Sequence, residues 1–399
     1  MTIKDEIKYI GVNDKTIDLF EDQYVVPSGM SYNSYVILDE KTAVFDTVAE
    51  GFTEEWLGNL ERVMGEKTPD YLIIQHMEPD HSASLKAFVD KYPKTEIVSS
   101  QKSFVMMKNF FGEAFGEEIV LEEHPINDGD ELNLGEHVLS FIAAPMVHWP
   151  EVMMTYDKKD KVLFTADAFG SFGALDADFE DWIPEVRRYY IGIVGKYGMQ
   201  VQKVLEKVAP LAVDVICSLH GPVIHSDRIP KMLELYNIWS SYTPETEGCM
   251  VAYTSVYGHT KKAALLMAEE LKAAGCENVE VFDLARSDMS EAVANAFRYS
   301  HLVLATTTYN GDIFPFMREF IEHLTERGFK NRKLGFIENG SWGPRAEKVM
   351  KCMLDCSKDL QYFEPVVTIK SAMTDKNRED IRLLADRMVN GEPESPEKE

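Results

Sequence analysis

His76-Met77-Glu78-Pro79-Asp80-His81 is the stretch on which the reading of this chain turns. Four side chains able to bind a metal stand within six residues, in a chain with only ten histidines. The segment follows Tyr71 to Ile74, an apolar run that reads as a buried strand. In an extended loop, alternate positions 76, 78 and 80 project to one side, so one short segment can serve two ions. Burying imidazoles and carboxylates together without a cation is costly. For the hexapeptide alone, an exposed acidic loop with incidental histidines is the plainer alternative.

Residues farther along the chain weigh against that alternative. Pro145-Met146-Val147-His148-Trp149-Pro150 places a histidine after a strand ending at Ala144. Asp167 follows the short strand Val162 to Thr165, and His220 follows the apolar run Val213 to Cys217. Each is a metal-competent side chain at a strand end, where loops converge on one rim. His225, five residues beyond His220, competes with it, but the Ser218-Leu219-His220-Gly221 context favours His220.

Around these positions the first part of the chain mixes strands, hairpins and helices. Val36 to Leu38 and Ala43 to Phe45 flank a charged turn, and Glu131 to Leu134 and Val138 to Ala143 flank Gly135. Glu54 to Met64 and Ser82 to Val89 read as helices. The order suggests a layered α/β domain with its sheets inside.

The polar segment Ser241 to Gly248, with Pro244, marks a break. Beyond it the pattern is regular: five strand-like runs separated by five helical ones, which describes a doubly wound parallel sheet. The expected organisation is therefore residues 1–247, residues 248–390, and a disordered tail at 391–399.

In the second domain Thr254-Ser255-Val256-Tyr257-Gly258-His259-Thr260 lies between a strand and a helix, where hydroxyls and backbone N–H groups make a phosphate site. The segment lacks the lysine of a triphosphate-binding loop and the glycine spacing of a dinucleotide fold. Thr306-Thr307-Thr308-Tyr309-Asn310-Gly311-Asp312 follows the third strand, and Glu338-Asn339-Gly340-Ser341-Trp342-Gly343-Pro344 the fourth. All three loops leave the C-terminal strand ends, where such sheets bind ligands. This arrangement resembles flavodoxin, whose first loop wraps the phosphate of FMN. On that resemblance Tyr309 and Trp342 flank the flavin ring, and the Asn310-Gly311 and Gly340 regions tune it.

Composition narrows the classes. Hydrophobic residues make up 45% and charged residues 27%, as in globular proteins, and no run approaches a membrane span. The N-terminus has no signal-peptide pattern, which gives a cytoplasmic expectation. With 41 basic against 67 acidic residues the formal charge is −26, which disfavours nucleic acid and anionic membrane. Cys217, Cys249, Cys276, Cys352 and Cys356 include no C-x-x-C pair, so neither a disulfide framework nor a rubredoxin module is expected within this chain.

The order of the metal-competent residues resembles the metallo-β-lactamase fold, whose hydrolases use H-x-H-x-D-H and then His, Asp and His. Glu78 stands where those hydrolases have their middle histidine. Together with the flavodoxin-like half, that substitution resembles the flavodiiron proteins, or A-type flavoproteins. A carboxylate in place of an imidazole makes the site harder and more anionic, which suits iron over a zinc-hydroxide site.

The resemblance implies an N-terminal αββα sandwich and a C-terminal doubly wound parallel sheet, carrying a non-haem diiron pair and FMN. It assigns His76, Glu78 and His148 to one iron, Asp80 and His220 to the other, and Asp167 to both. His81 fits the fold's motif, yet in this family the corresponding histidine is often displaced from metal, so its contact stays open. The implied activity is reduction of O2 to water, with NO reduction to N2O as the alternative and a zinc-dependent hydrolase as the remaining one. A separate donor is implied (rubredoxin, a flavoprotein reductase or reduced deazaflavin), as is a head-to-tail homodimer or a dimer of dimers.

Overall fold

Tyr35–Leu38 and Thr42–Phe45 pair antiparallel across the Asp39-Glu40-Lys41 turn, as the charged break between two apolar runs requires. The computed structural model describes residues 2–115 and 121–391. The chain divides into two units, Met1–Asn237 and Ile238–Glu399. The division falls within the Ile229–Ser240 helix, ahead of the polar segment that marks a break in the sequence. The expected tail lies, beyond Gly391, outside the described residues. No helix among the described residues is long and apolar enough to cross a membrane.

In the first unit two six-stranded sheets form. One runs Ile7–Tyr9, Tyr35–Leu38, Thr42–Phe45, Tyr71–Ile73, Glu96–Ser100, Glu122–Ile126. The other runs Glu131–Asn133, Val138–Ala143, Met153–Asp157, Val162–Phe164, Val215–Cys217, Ile224–His225. Their inner faces share one buried cluster that includes Ile37, Phe45, Ile73, Val98, Leu139, Phe141 and Phe164. Phe45 of one sheet stacks on Phe164 of the other, with centroids 4.1 Å apart and planes at 15°. Burying each such side chain stabilises the fold by roughly 1.5–3 kcal/mol.

Register decides where the loops leave. Phe45 pairs with Ile73, and Phe164 with Cys217, in parallel ladders whose strands stop at these residues. His76, Asp167 and His220 each stand three positions beyond such an end (73 to 76, 164 to 167, 217 to 220). Parallel strands ending in register deliver their loops to the same rim.

One local expectation changes. Asp80 and His81 occupy a helical turn, Pro79–Ser82, with Glu78 as its N-cap, rather than an extended loop. Proline at the first helical position presets that turn. The second helix of this region starts later than the sequence suggests, at Leu85–Lys91.

In the second unit the sheet order is Val279–Asp283, Thr246–Tyr253, Tyr299–Tyr309, Arg332–Asn339, with parallel pairing throughout this series. The fifth expected strand forms as Val367–Ile369, and a further short strand, Leu360–Tyr362, precedes it, each parallel to Arg332–Asn339. Asp312–Ile313 folds back antiparallel on Tyr299–Tyr309. The final helix, Asp375–Asn390, opens with a Thr374–Asn377 capping box, a device worth about 1 kcal/mol.

Candidate functional site

Two clusters of metal-competent side chains form on the rim of the first unit. In one, single ligand atoms of His76, Glu78, His148 and Asp167 lie within 4.8 Å of one another. His148 Nε2 stands 3.0 Å from Glu78 Oε2 and 3.1 Å from Asp167 Oδ2, and His76 Nε2 stands 3.1 Å from Glu78 Oε2. In the other, Asp80, His81 and His220 converge in the same way. Asp80 Oδ2 is 3.2 Å from His220 Nε2 and 3.3 Å from His81 Nε2.

Asp167 is common to both. Its Oδ2 faces His148, while its Oδ1 lies 3.2 Å from His81 Nε2 in the second cluster. The helical turn that carries His81 aims its ring inward and buries it fully. His81 therefore converges with Asp80 and His220, where sequence alone left its contact open.

The chemistry of this set fits two cations. His81 Nε2 and His220 Nε2 sit 2.9 Å apart, a spacing two neutral lone pairs avoid unless a proton or a metal lies between them. Both Asp80 oxygens and Asp167 Oδ1 are buried without a hydrogen-bond partner. Protonation equilibria report the same deficit of positive charge. Burial alone would lower His148, but Asp167 and Glu78 push it up to about 9. Burial likewise opposes charging of His76, and Asp167, Glu151 and Glu78 overcome it, holding the ring well above the usual imidazole range. Burial would raise Glu78 and Asp167, yet the imidazoles around them hold both below the ordinary carboxylate range.

Further groups, which carry no motif in the sequence, hold these ligands in place. Glu151 Oε1 accepts from the backbone N–H of Met77 at 3.0 Å and lies 2.8 Å from His76 Nδ1. His220 Nδ1 donates to the Ser31 carbonyl at 2.7 Å, and Tyr189 donates its hydroxyl proton to Asp167 Oδ2 at 3.0 Å. Asp46 accepts from the backbone N–H groups of Gln75 and His76, tying down the start of the motif. Of these, only Glu151 leaves a trace in the sequence, three residues after His148 on the same loop. Partners of this kind fix the ring tautomer and raise ligand basicity. Asp46, Met146 and Ala166 adopt φ values of +52°, +66° and +50°, and backbone strain of this sort gathers at functional sites. His225 is exposed on the strand that pairs with Val215–Cys217 and joins neither cluster.

The second unit carries a cavity of about 900 Å³ at the C-terminal ends of its strands. Ser255, Val256, Tyr257, His259 and Thr260 line it from the first loop. Thr307, Thr308, Tyr309, Asn310 and Gly311 line it from the second, and Asn339, Gly340, Ser341, Trp342 and Gly343 from the third. Three expected contacts do not line it. Thr254 is buried beneath, its hydroxyl 2.6 Å from that of Thr306. Gly258 caps the His259–Ala273 helix at φ +85°, a value that favours glycine. Asp312 is held by Arg318 at 2.6 Å. Arg345 and Ser371, which the motif reading missed, join the lining. Trp342 is 96% exposed and Tyr257 90%, unusual for large aromatics unless a flat apolar ligand covers them. At Gly340 a β-carbon would lie 2.7 Å from Pro344 Cα, so only glycine lets the third loop close.

The chain matches two family models, ODP family beta lactamase over residues 30–221 and Flavodoxin domain over residues 250–364. It is 29% identical over 380 residues to a nitric oxide reductase of Moorella thermoacetica, covering 93% of each chain. It is 30% identical to an uncharacterized protein of Methanocaldococcus jannaschii, covering 81% of each. Among solved structures, the rubredoxin oxygen:oxidoreductase of Desulfovibrio gigas superposes with a TM-score of 0.89 at 25% identity over 98% of both chains. The flavodiiron protein of Giardia intestinalis gives the same TM-score and identity over 98% of this chain and 95% of its own.

Proposed function

The chain belongs to the flavodiiron proteins, oxidoreductases carrying FMN and a non-haem diiron pair, and on that premise we propose that it reduces O2 to water. The observation that supports a paired-metal centre for this chemistry is Asp167, one carboxylate with an oxygen turned to each cluster. In the proposed site His76, Glu78 and His148 would hold one iron, and Asp80, His81 and His220 the other, with Asp167 available to both. Loaded, the pair of ferrous ions and reduced FMN together supply the four electrons that conversion of O2 to two waters takes up.

The protein's own part is positioning and exclusion of water. Glu78 and Asp167 give the first position an anionic, oxygen-rich character that favours iron over zinc. Glu151 and the Ser31 carbonyl engage Nδ1 of His76 and of His220, so each ring is left with Nε2 facing its cluster. Tyr189 keeps a hydroxyl donor on the shared carboxylate. Electrons reach the FMN cavity from a separate donor, of the rubredoxin, flavoprotein reductase or deazaflavin class, and the working unit is a head-to-tail homodimer or a dimer of dimers.

Reduction of NO to N2O is the second reading, favoured by the Moorella thermoacetica relative named for that activity. Oxygen-electrode and NO-electrode traces of the iron-loaded, fully reduced protein, run side by side with one reductant, decide between them. O2 uptake several-fold faster than NO consumption is the expected result. No uptake of O2 by protein containing both irons and FMN would sink the proposal.

A further inference from the structure

At the other end of the second sheet lies a cluster that the proposed chemistry does not use. His137 immediately precedes the Val138–Ala143 strand, whereas His148 follows its far end. Asp157 closes the Met153–Asp157 strand, and Asp160 stands in the turn that leads into Val162–Phe164. A strand of this length separates the two ends by roughly 20 Å.

A ring nitrogen of His137 and one carboxylate oxygen from each of Glu6 and Asp160 lie within 4.8 Å of one another. The His137 ring is fully buried, and its Nε2 has no partner in hydrogen-bonding geometry. Asp160 Oδ2 is buried and unpartnered as well. The fully buried Asp157 places Oδ2 3.1 Å from His137 Nδ1 and accepts the Asp160 backbone N–H at 3.0 Å. A carboxylate facing Nδ1 leaves Nε2 as the free lone pair, the way histidines are oriented toward a bound metal. Here Nε2 points to Glu6, whose Oε2 is 3.8 Å away. A cavity of about 470 Å³, lined by the N-terminal segment through Glu6 together with Lys159 and Asp160, adjoins two of the three groups.

We propose that Glu6, His137 and Asp160 form a third metal site, which takes one divalent first-row cation such as zinc. One imidazole and two carboxylates suit such a cation better than calcium, which gathers six to eight oxygens. Lys159 stands 3.4 Å from Glu6 Oε2, but it is also 2.7 Å from Glu136 Oε2, so a cation on Glu6 leaves that ammonium a partner. Glu6 leads into the first sheet, while His137 and Asp160 border strands of the second, so the ion ties the two sheets together at their base.

Dialysis of the iron- and FMN-loaded protein against micromolar zinc, followed by metal analysis, tests the site. One zinc per chain above an unchanged iron content is expected. The double variant Glu6→Gln/Asp160→Asn should keep its iron and FMN and lose that zinc. Asp157→Asn retains all three ligands and should weaken zinc by about 10- to 100-fold. Zinc gained only as iron is lost, equal binding by the double variant, or no uptake overturns the proposal. If the double variant does not fold, anomalous scattering at the zinc edge from zinc-soaked wild-type crystals decides it: a peak at His137 supports the site, and its absence refutes it.

Discussion

His76 Nδ1 and Glu151 Oε1 are 2.8 Å apart, in two side chains that solvent does not reach. Because Glu151 also accepts the Met77 N–H, one carboxylate fixes both the ring and the backbone beside it. The histidine that opens the metal motif is thus aimed by a residue 75 positions later in the chain.

Removing that anchor should cost metal before it costs fold. Glu151→Ala is expected to weaken iron retention by about 10- to 100-fold, and Glu151→Gln by less, since an amide oxygen still accepts from Met77. Iron per chain after equilibration with graded chelator measures it. Unchanged retention in both variants would refute the role.

His148→Asn separates the two centres. Loss of one imidazole from the first cluster should reduce O2 or NO turnover by at least about 100-fold. FMN content and flavin reduction by the donor should stay as in the wild type, because His148 belongs to the first unit and the flavin cavity to the second. If gas reduction survives, His148 has no part in the centre and the proposed ligand set is wrong.

The metal-free protein should respond to pH with a definite sign. His148, raised to about 9, contributes stability that is fully present below its unfolded pKa near 6.5 and is lost as pH climbs through about 9. Glu78 and Asp167, held low, contribute stability present above about pH 4 and lost in acid. Thermal midpoints of the apoprotein should therefore be highest near pH 5–6 and fall between about pH 6.5 and 9. Iron replaces the protons on these rings, so the loaded protein should not show the alkaline decline. A decline of equal size in both forms would contradict this account.

Trp342→Ala should weaken FMN by roughly ten-fold, the order that one aromatic stack supplies. Fluorescence of released flavin during dilution reports the dissociation constant. Binding unchanged within two-fold would remove Trp342 from the flavin's contacts.

Much of this was legible in sequence because it depends on local chemistry. The density of ligands between His76 and His81, the replacement of a histidine by Glu78, and strand-end loops rich in threonine, glycine and aromatic residues are all short-range patterns. Strand periodicity likewise gave the second unit's alternation, since each run obeys its own apolar spacing. The sequence missed the short strand Leu360–Tyr362, which pairs with Arg332–Asn339 ahead of Val367–Ile369.

What only the tertiary structure decided is which distant atoms meet. Sequence could name His81 but not its direction, because that depends on the helical turn starting at Pro79 and on the Thr47 hydroxyl holding the His81 carbonyl at 2.8 Å. Glu151, Tyr189 and Ser31 carry no motif, since a carboxylate, a phenol and a backbone carbonyl serve as orienting groups only where packing sets them against a ligand. The sequence by itself determined the types of side chain available for the metals and the flavin. Strand register brought Asp167 and His220 to one strand end, and the packing of the two sheets, with Phe45 stacked on Phe164, set His76 of the other sheet against them.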